Sequence, residues 1–138
     1  MIKLTSFDET LATLAQTPSM PGLGAALAHC AQSIEYSLTG FPTQRGFLVR
    51  KVFGPRMLRK FLQKGELTHD LKAPIPGAPE IPPALPTDEG MTRLRAAIAS
   101  FRAHQGILAP HFAFGEISRQ DYERLHSMHI ADHLRSFP

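Results

Sequence analysis

His126, His129 and His133 stand at i, i+3 and i+7 within the stretch Tyr122 to Phe137, and imidazoles at that spacing are groups that can bind a divalent cation. On a helix, at about 100° per residue, the three rings fall in a stripe about 60° wide. Tyr122, Ile130 and Phe137 share that stripe, while Arg124, Met128 and Arg135 are expected on the opposite side, so the histidines are expected to face the core. His129 and His133 lie one turn apart with Cβ atoms about 5–6 Å from each other, which lets both converge on one ion at about 2.0–2.1 Å. The competing explanation is a set of hydrogen-bonded core histidines. Burying three titratable rings without partners costs on the order of several kcal/mol, so something must satisfy them either way.

A third ligand has to come from elsewhere, and four histidines remain: His29, His69, His104 and His111. His69 and His111 fall on loops or helix ends and are expected to be solvent-exposed. His104 stands near the end of its helix and is expected to cap the last carbonyls. His29 lies mid-helix on the flank of an apolar stripe, a position that also suits a histidine binding nothing. His126 is expected to orient a ligand, shuttle a proton or pack. Glu35, Tyr36 and Asp132 are the nearest candidates for acid or base work, and each is equally readable as a surface residue.

The elements that must position these groups are legible as helices. Ser6 followed by Glu9 reads as a capping box, with Phe7, Leu11 and Leu14 at helical spacing until Thr17-Pro18-Ser19. A second helix runs from Leu23 to about Leu38, with Leu27, Cys30 and Ile34 on its apolar stripe and Gly40-Phe41-Pro42 beyond its end. Residues 44–63 read as one helix broken at Gly54-Pro55. Residues 73–86 contain six prolines and form an extended crossover. Thr87 is expected to cap a helix carrying Met91, Leu94, Ile98 and Phe101, and Ser118 to open the last one. No alternating or β-branched run intervenes, so the expected fold is all-α, a four-helix bundle in a single domain spanning residues 1–138.

Composition narrows the function classes. With 138 residues and 43% hydrophobic content the chain can bury a real core. No apolar run approaches the roughly 20 residues of a membrane span, and the opening residues lack a signal-peptide core, so a cytoplasmic protein is expected. Cys30, the sole cysteine, belongs to an apolar stripe and is expected to be inert. The net charge is +3, but seven cations and no acid lie between Glu35 and Glu66: Arg45, Arg50, Lys51, Arg56, Arg59, Lys60 and Lys64. Phe47, Phe53 and Phe61 interleave with them at core-like spacing. Such a segment reads as a solvated helix face, or as a face for an anionic partner; no nucleic-acid fold motif accompanies it.

The stretches Leu27-Ala-His29-Cys-Ala-Gln-Ser-Ile-Glu-Tyr-Ser-Leu-Thr-Gly40, His111-Phe-Ala-Phe-Gly115 and Leu125-His-Ser-Met-His129-Ile-Ala-Asp-His133 together resemble the DinB-like (YfiT-like) superfamily of helical-bundle metalloproteins. The resemblance is to a branch of unassigned function, and it implies a basic segment and a proline-rich crossover between the second and third bundle helices. It also implies a metal site of one histidine on the second bundle helix and an H-x-x-x-H pair on the last, here His29, His129 and His133. Where relatives often carry tryptophan, this chain has Pro21. The histidine stripe and the resemblance together lead to the expectation of Zn²⁺ or Ni²⁺ as the ion and of a metal-dependent hydrolase or a small-thiol-dependent transferase acting on a small-molecule substrate, thiol-dependent transfer being what the resemblance itself implies. The alternative reading is a non-catalytic binding module that uses its basic face at 45–64 for an anionic partner. Nucleic acid and membrane are not expected as partners, and pairing of two copies through exposed apolar helix faces is the remaining structural reading.

Overall fold

Five α-helices follow from caps and apolar spacing in the computed structural model, which describes residues 1–137. Helix α1 (Phe7–Ala15) starts at Ser6, whose hydroxyl accepts the Glu9 N–H at 3.2 Å. The Glu9 carboxylate returns to the N–H of Thr5 at 3.0 Å, so the return arm of the capping box lands one residue before the cap. Helix α2 (Leu23–Thr39) ends where Gly40 turns to a φ of 109°. Helix α5 (Arg119–Leu134) opens on Ser118, whose hydroxyl accepts the Asp121 N–H at 3.1 Å, as expected.

Two local expectations are corrected. Residues 47–64 follow one helical path instead of breaking at Gly54-Pro55: a π-helical turn, Val49–Phe53, runs directly into α3 (Gly54–Lys64). Pro55 sits where the π turn passes into α3, so its missing N–H falls at the change from one hydrogen-bond pattern to the other. Helix α4 (Thr87–Ala103) is preceded by Pro86 and has no side-chain cap. The Thr87 hydroxyl donates instead to the Met20 carbonyl at 3.1 Å and accepts the Met20 N–H, pinning the start of α4 to the turn before α2.

Helices α2 and α4 pack on each other, α5 packs on α2, and α1 lies against both α4 and α5. The α2–α4 crossing is backbone-close at two glycines. A Cβ on Gly90 would stand 2.2 Å from the Gly24 carbonyl oxygen, and one on Gly24 2.3 Å from that of Pro86. The core between the helices is built from Leu27, Ile34, Leu94, Ile98, Tyr122 and Ile130. Helix α5 is buried on nearly every side, and Met128, expected to face outward, is fully enclosed. Its two-sided burial explains why one apolar stripe was a poor guide to its surroundings.

The crossover between α3 and α4 is extended, as its prolines require. It is held by the Gln32 amide of α2 donating to the Pro79 carbonyl at 3.2 Å, by Thr43 of the loop after α2 donating to the Pro76 carbonyl, and by the buried side chain of Ile75. Among the described residues there is no β-strand, only an isolated bridge between His111 and Gly115, and no helix is long and apolar enough to cross a membrane.

Candidate metal centre

Four histidines converge between α2, α5 and the segment after α3. His29 comes from the middle of α2, His129 and His133 from successive turns of α5, and His69 from the chain leading into the crossover. One ring nitrogen from each lies within 4.8 Å of the others. The ring centroids of His129 and His133 are 4.9 Å apart, and His29 and His69 each stand 4.8 to 5.1 Å from both. The three residues singled out from sequence are thus brought together, and His69 joins them.

His69 corrects the expectation of an exposed loop histidine. Its backbone N–H donates to Asp132 Oδ2 at 3.1 Å, and its ring Nδ1 lies 2.6 Å from the same oxygen. A carboxylate at that distance takes the Nδ1 proton as a hydrogen bond, which leaves Nε2 with a free lone pair. That Nε2 is buried and has no hydrogen-bond partner; the same holds for His133 Nε2. Asp132 is itself buried, and its second oxygen accepts from Arg135 Nη2 at 2.9 Å. Arg135 also donates to the carbonyls of Ile2 and Leu67, so the carboxylate is fixed at both ends.

Burial keeps three of the four rings neutral. Burial, with His69 nearby, pushes His29 down to about 4. Burial and the neighbouring His29 and His69 push His133 down to about 3, against a smaller upward pull from Asp132. His129 is held well below its ordinary value by burial and then by His133, His29 and His69. Neutral imidazole is the form that binds a metal, and two of the four nitrogens lack any other partner. The donor set therefore fits a divalent transition ion.

His126 stands outside this cluster. Its Nε2 is 3.1 Å from the Ser37 hydroxyl, whose proton goes to the Ile34 carbonyl, so the imidazole donates to Ser37. The ring stacks on Tyr122 at 5.2 Å and meets Phe101 edge-on, and burial pushes it down to about 3. It also lines the cavity beside the histidines. Of the acid–base candidates, Glu35 is held by two hydrogen bonds from Arg93, and neither it nor Tyr36 lines that cavity. Cys30 is buried and its thiol is pushed up by burial, as an inert packing residue should be. His104 ends α4, with its ring 3.4 Å from the Ile107 carbonyl.

His111 is the second loop histidine found inside. Its Nδ1 accepts the N–H groups of Ala113 and Phe114 at 3.0 and 3.1 Å, and its ring is stacked between Phe112 and Phe114. The tight 111–115 loop closes on Gly115, whose φ of 77° favours glycine and whose missing Cβ admits the Arg50 carbonyl. The basic segment departs from expectation differently. Its aromatic residues Phe47 and Phe53 are 65% and 59% exposed, not core, and Leu48 and Met57 are exposed beside them.

Fold and site together define an all-helical protein with a histidine cluster between its helices. The chain belongs to the family described as "Protein of unknown function (DUF1569)", whose profile matches residues 10–138. No curated protein and no solved structure matches it.

Proposed function

We propose that this chain is a divalent-metal-binding protein of the DinB-like (YfiT-like) kind, a four-helix bundle of α1, α2, α4 and α5 in which His29, His129 and His133 hold Zn²⁺ or Ni²⁺ with His69 as a fourth donor. The observation that carries the reading is the Asp132-anchored His69, whose partnerless Nε2 is buried among three further imidazoles. A carboxylate on the far nitrogen of a ligating histidine is the usual outer support of a metal site. Burial holds His29, His129 and His133 unprotonated and ready to bind.

When bound, such an ion supplies Lewis acidity, lowering the pKa of a coordinated water towards about 7 or favouring the thiolate of an incoming thiol. The chain's own contribution is to fix the donors. Asp132 sets the His69 tautomer, Arg135 sets Asp132, and α5 sets the spacing of His129 and His133. Metal-dependent hydrolysis or thiol-dependent transfer is the activity this arrangement suits, provided one coordination position stays open; four imidazoles fill a tetrahedral ion and leave room on a larger coordination sphere. Elemental analysis of protein purified without a histidine tag tests the reading. Near-stoichiometric transition metal, lost in a His129→Ala/His133→Ala variant, is the expected result, and metal-free native protein that also fails to take up added zinc or nickel overturns it.

A second reading is favoured by one observation. The cationic segment also carries exposed Phe47, Leu48, Phe53 and Met57, a combination suited to a non-catalytic module that holds an anionic partner.

A further inference from the structure

A cavity of about 220 Å³ opens beside the histidine cluster. An apolar cavity of about 150 Å³ is known to hold a benzene molecule, so this one has room for a six-membered ring and a few further atoms. Its walls are mostly carbon, from Leu67, Phe112, Phe114 and Leu125, while His29, His69 and His129 contribute nitrogen at one side. One cation borders it: Arg45, first of the seven basic residues in the segment after Glu35. The Arg45 N–H donates to the Phe112 carbonyl at 2.9 Å, and its own carbonyl accepts from Arg50 Nε at 2.7 Å, so its backbone is tied to the 111–115 loop and to the turn that follows. No carboxylate among the described residues pairs with its guanidinium. Asp70 also borders the cavity, with one oxygen accepting from the Lys72 N–H, so a second negative charge on a ligand would meet this carboxylate with no second cation to offset it.

We propose that this cavity binds a small monocarboxylate with an apolar body about the size of benzene, the carboxylate on Arg45 and the body against Phe112, Phe114 and Leu67. A guanidinium offers a planar fork that matches a carboxylate, and an apolar wall beside it rewards a hydrophobic body over a bare anion. The proposal deepens the metal-site reading, on which it rests for the chemistry at the histidine side, by naming the class of molecule that reaches those histidines.

The test is calorimetric titration of the full chain, as purified and after zinc loading, with benzoate, benzyl alcohol, acetate and phenyl phosphate, in native protein and in Arg45→Ala and Arg59→Ala variants. Benzoate is expected to bind about tenfold or more tightly than benzyl alcohol or acetate, and Arg45→Ala to remove about tenfold of that affinity while Arg59→Ala leaves it unchanged. Equal binding of acetate removes the apolar body, tighter binding of phenyl phosphate removes the monoanion, and an unchanged Arg45→Ala variant or no benzoate binding overturns the proposal. Metal content is measured separately on each sample. Failure of the metal reading therefore shows in the elemental analysis, and failure of the carboxylate site in the titration.

Discussion

Asp132 Oδ2 accepts both the ring Nδ1–H of His69, at 2.6 Å, and its backbone N–H, at 3.1 Å, so one carboxylate on α5 fixes both the position and the tautomer of a histidine 63 residues earlier in the chain. Removing the negative charge while keeping the shape should leave the fold intact and loosen the ion. Asp132→Asn is expected to weaken metal binding by about 10–100-fold, the usual cost of losing the outer support of a ligating histidine. Competition against a chelator of known affinity reads this directly. An unchanged affinity would mean that His69 is not a donor, whatever the other three do.

How much of this was legible in the sequence divides along the line between local and tertiary information. The His129 and His133 pair follows from helical spacing alone, because i and i+4 on one helix are neighbours in any fold. His69 does not, since its closeness to α5 depends on how the chain leaves α3, and no periodicity marks it. The signal that could have found it was Asp132, a carboxylate between two candidate ligands that has to be paired if it is buried. Met128 and His111 were misplaced for a related reason: α5 is enclosed by other helices and by the 111–115 loop, so neither opposite faces nor loop position implied solvent. Phe47 and Phe53 failed in the opposite direction, because nothing packs over the Val49–Phe53 turn: none of its residues is buried, so spacing there marks no core face.

Acid should destabilise the metal-free protein. Burial pushes His111 and His126 down to about 3 in the folded state, whereas an unfolded chain titrates near 6.5. Between those values the unfolded state binds protons that the folded state refuses, so stability is fully present above about pH 6.5 and is lost progressively as pH falls towards 3. Chelator-treated protein should melt at a lower temperature at pH 4.5 than at pH 7.5. His126→Phe should shrink that difference, because it removes one of the refused protons, and an equal difference in native and variant protein would place the effect elsewhere.

The α2–α4 contact should tolerate no side chain at its closest point. A Cβ on Gly90 would meet the Gly24 carbonyl oxygen at 2.2 Å and the Gly24 Cα at 2.8 Å, and these are backbone atoms that cannot rotate away. Gly90→Ala gains helix propensity of about 1 kcal/mol on its own, yet it must push α4 away from α2. The separation should win, costing about 1–3 kcal/mol net as overpacked interiors do. Chemical denaturation of the variant checks the sign: stabilisation would mean that the two helices part more easily than their packing suggests.

The exposed cationic segment can be tested independently of the histidine centre. A face with Arg50, Lys51, Arg56, Arg59, Lys60 and Lys64 but no acid should attract anionic surfaces by Coulomb forces that salt screens over about 10 Å at 0.1 M. Exposed Phe47 and Phe53 add an apolar contribution that salt does not weaken. If this face is functional, vesicles rich in phosphatidylserine should retain the protein at low ionic strength and release most of it at high ionic strength. Lys51→Glu/Arg59→Glu should abolish retention without altering metal content, since neither residue touches the histidine cluster. Failure of native protein to bind such vesicles at any salt concentration would remove an anionic membrane from the partners this face could hold.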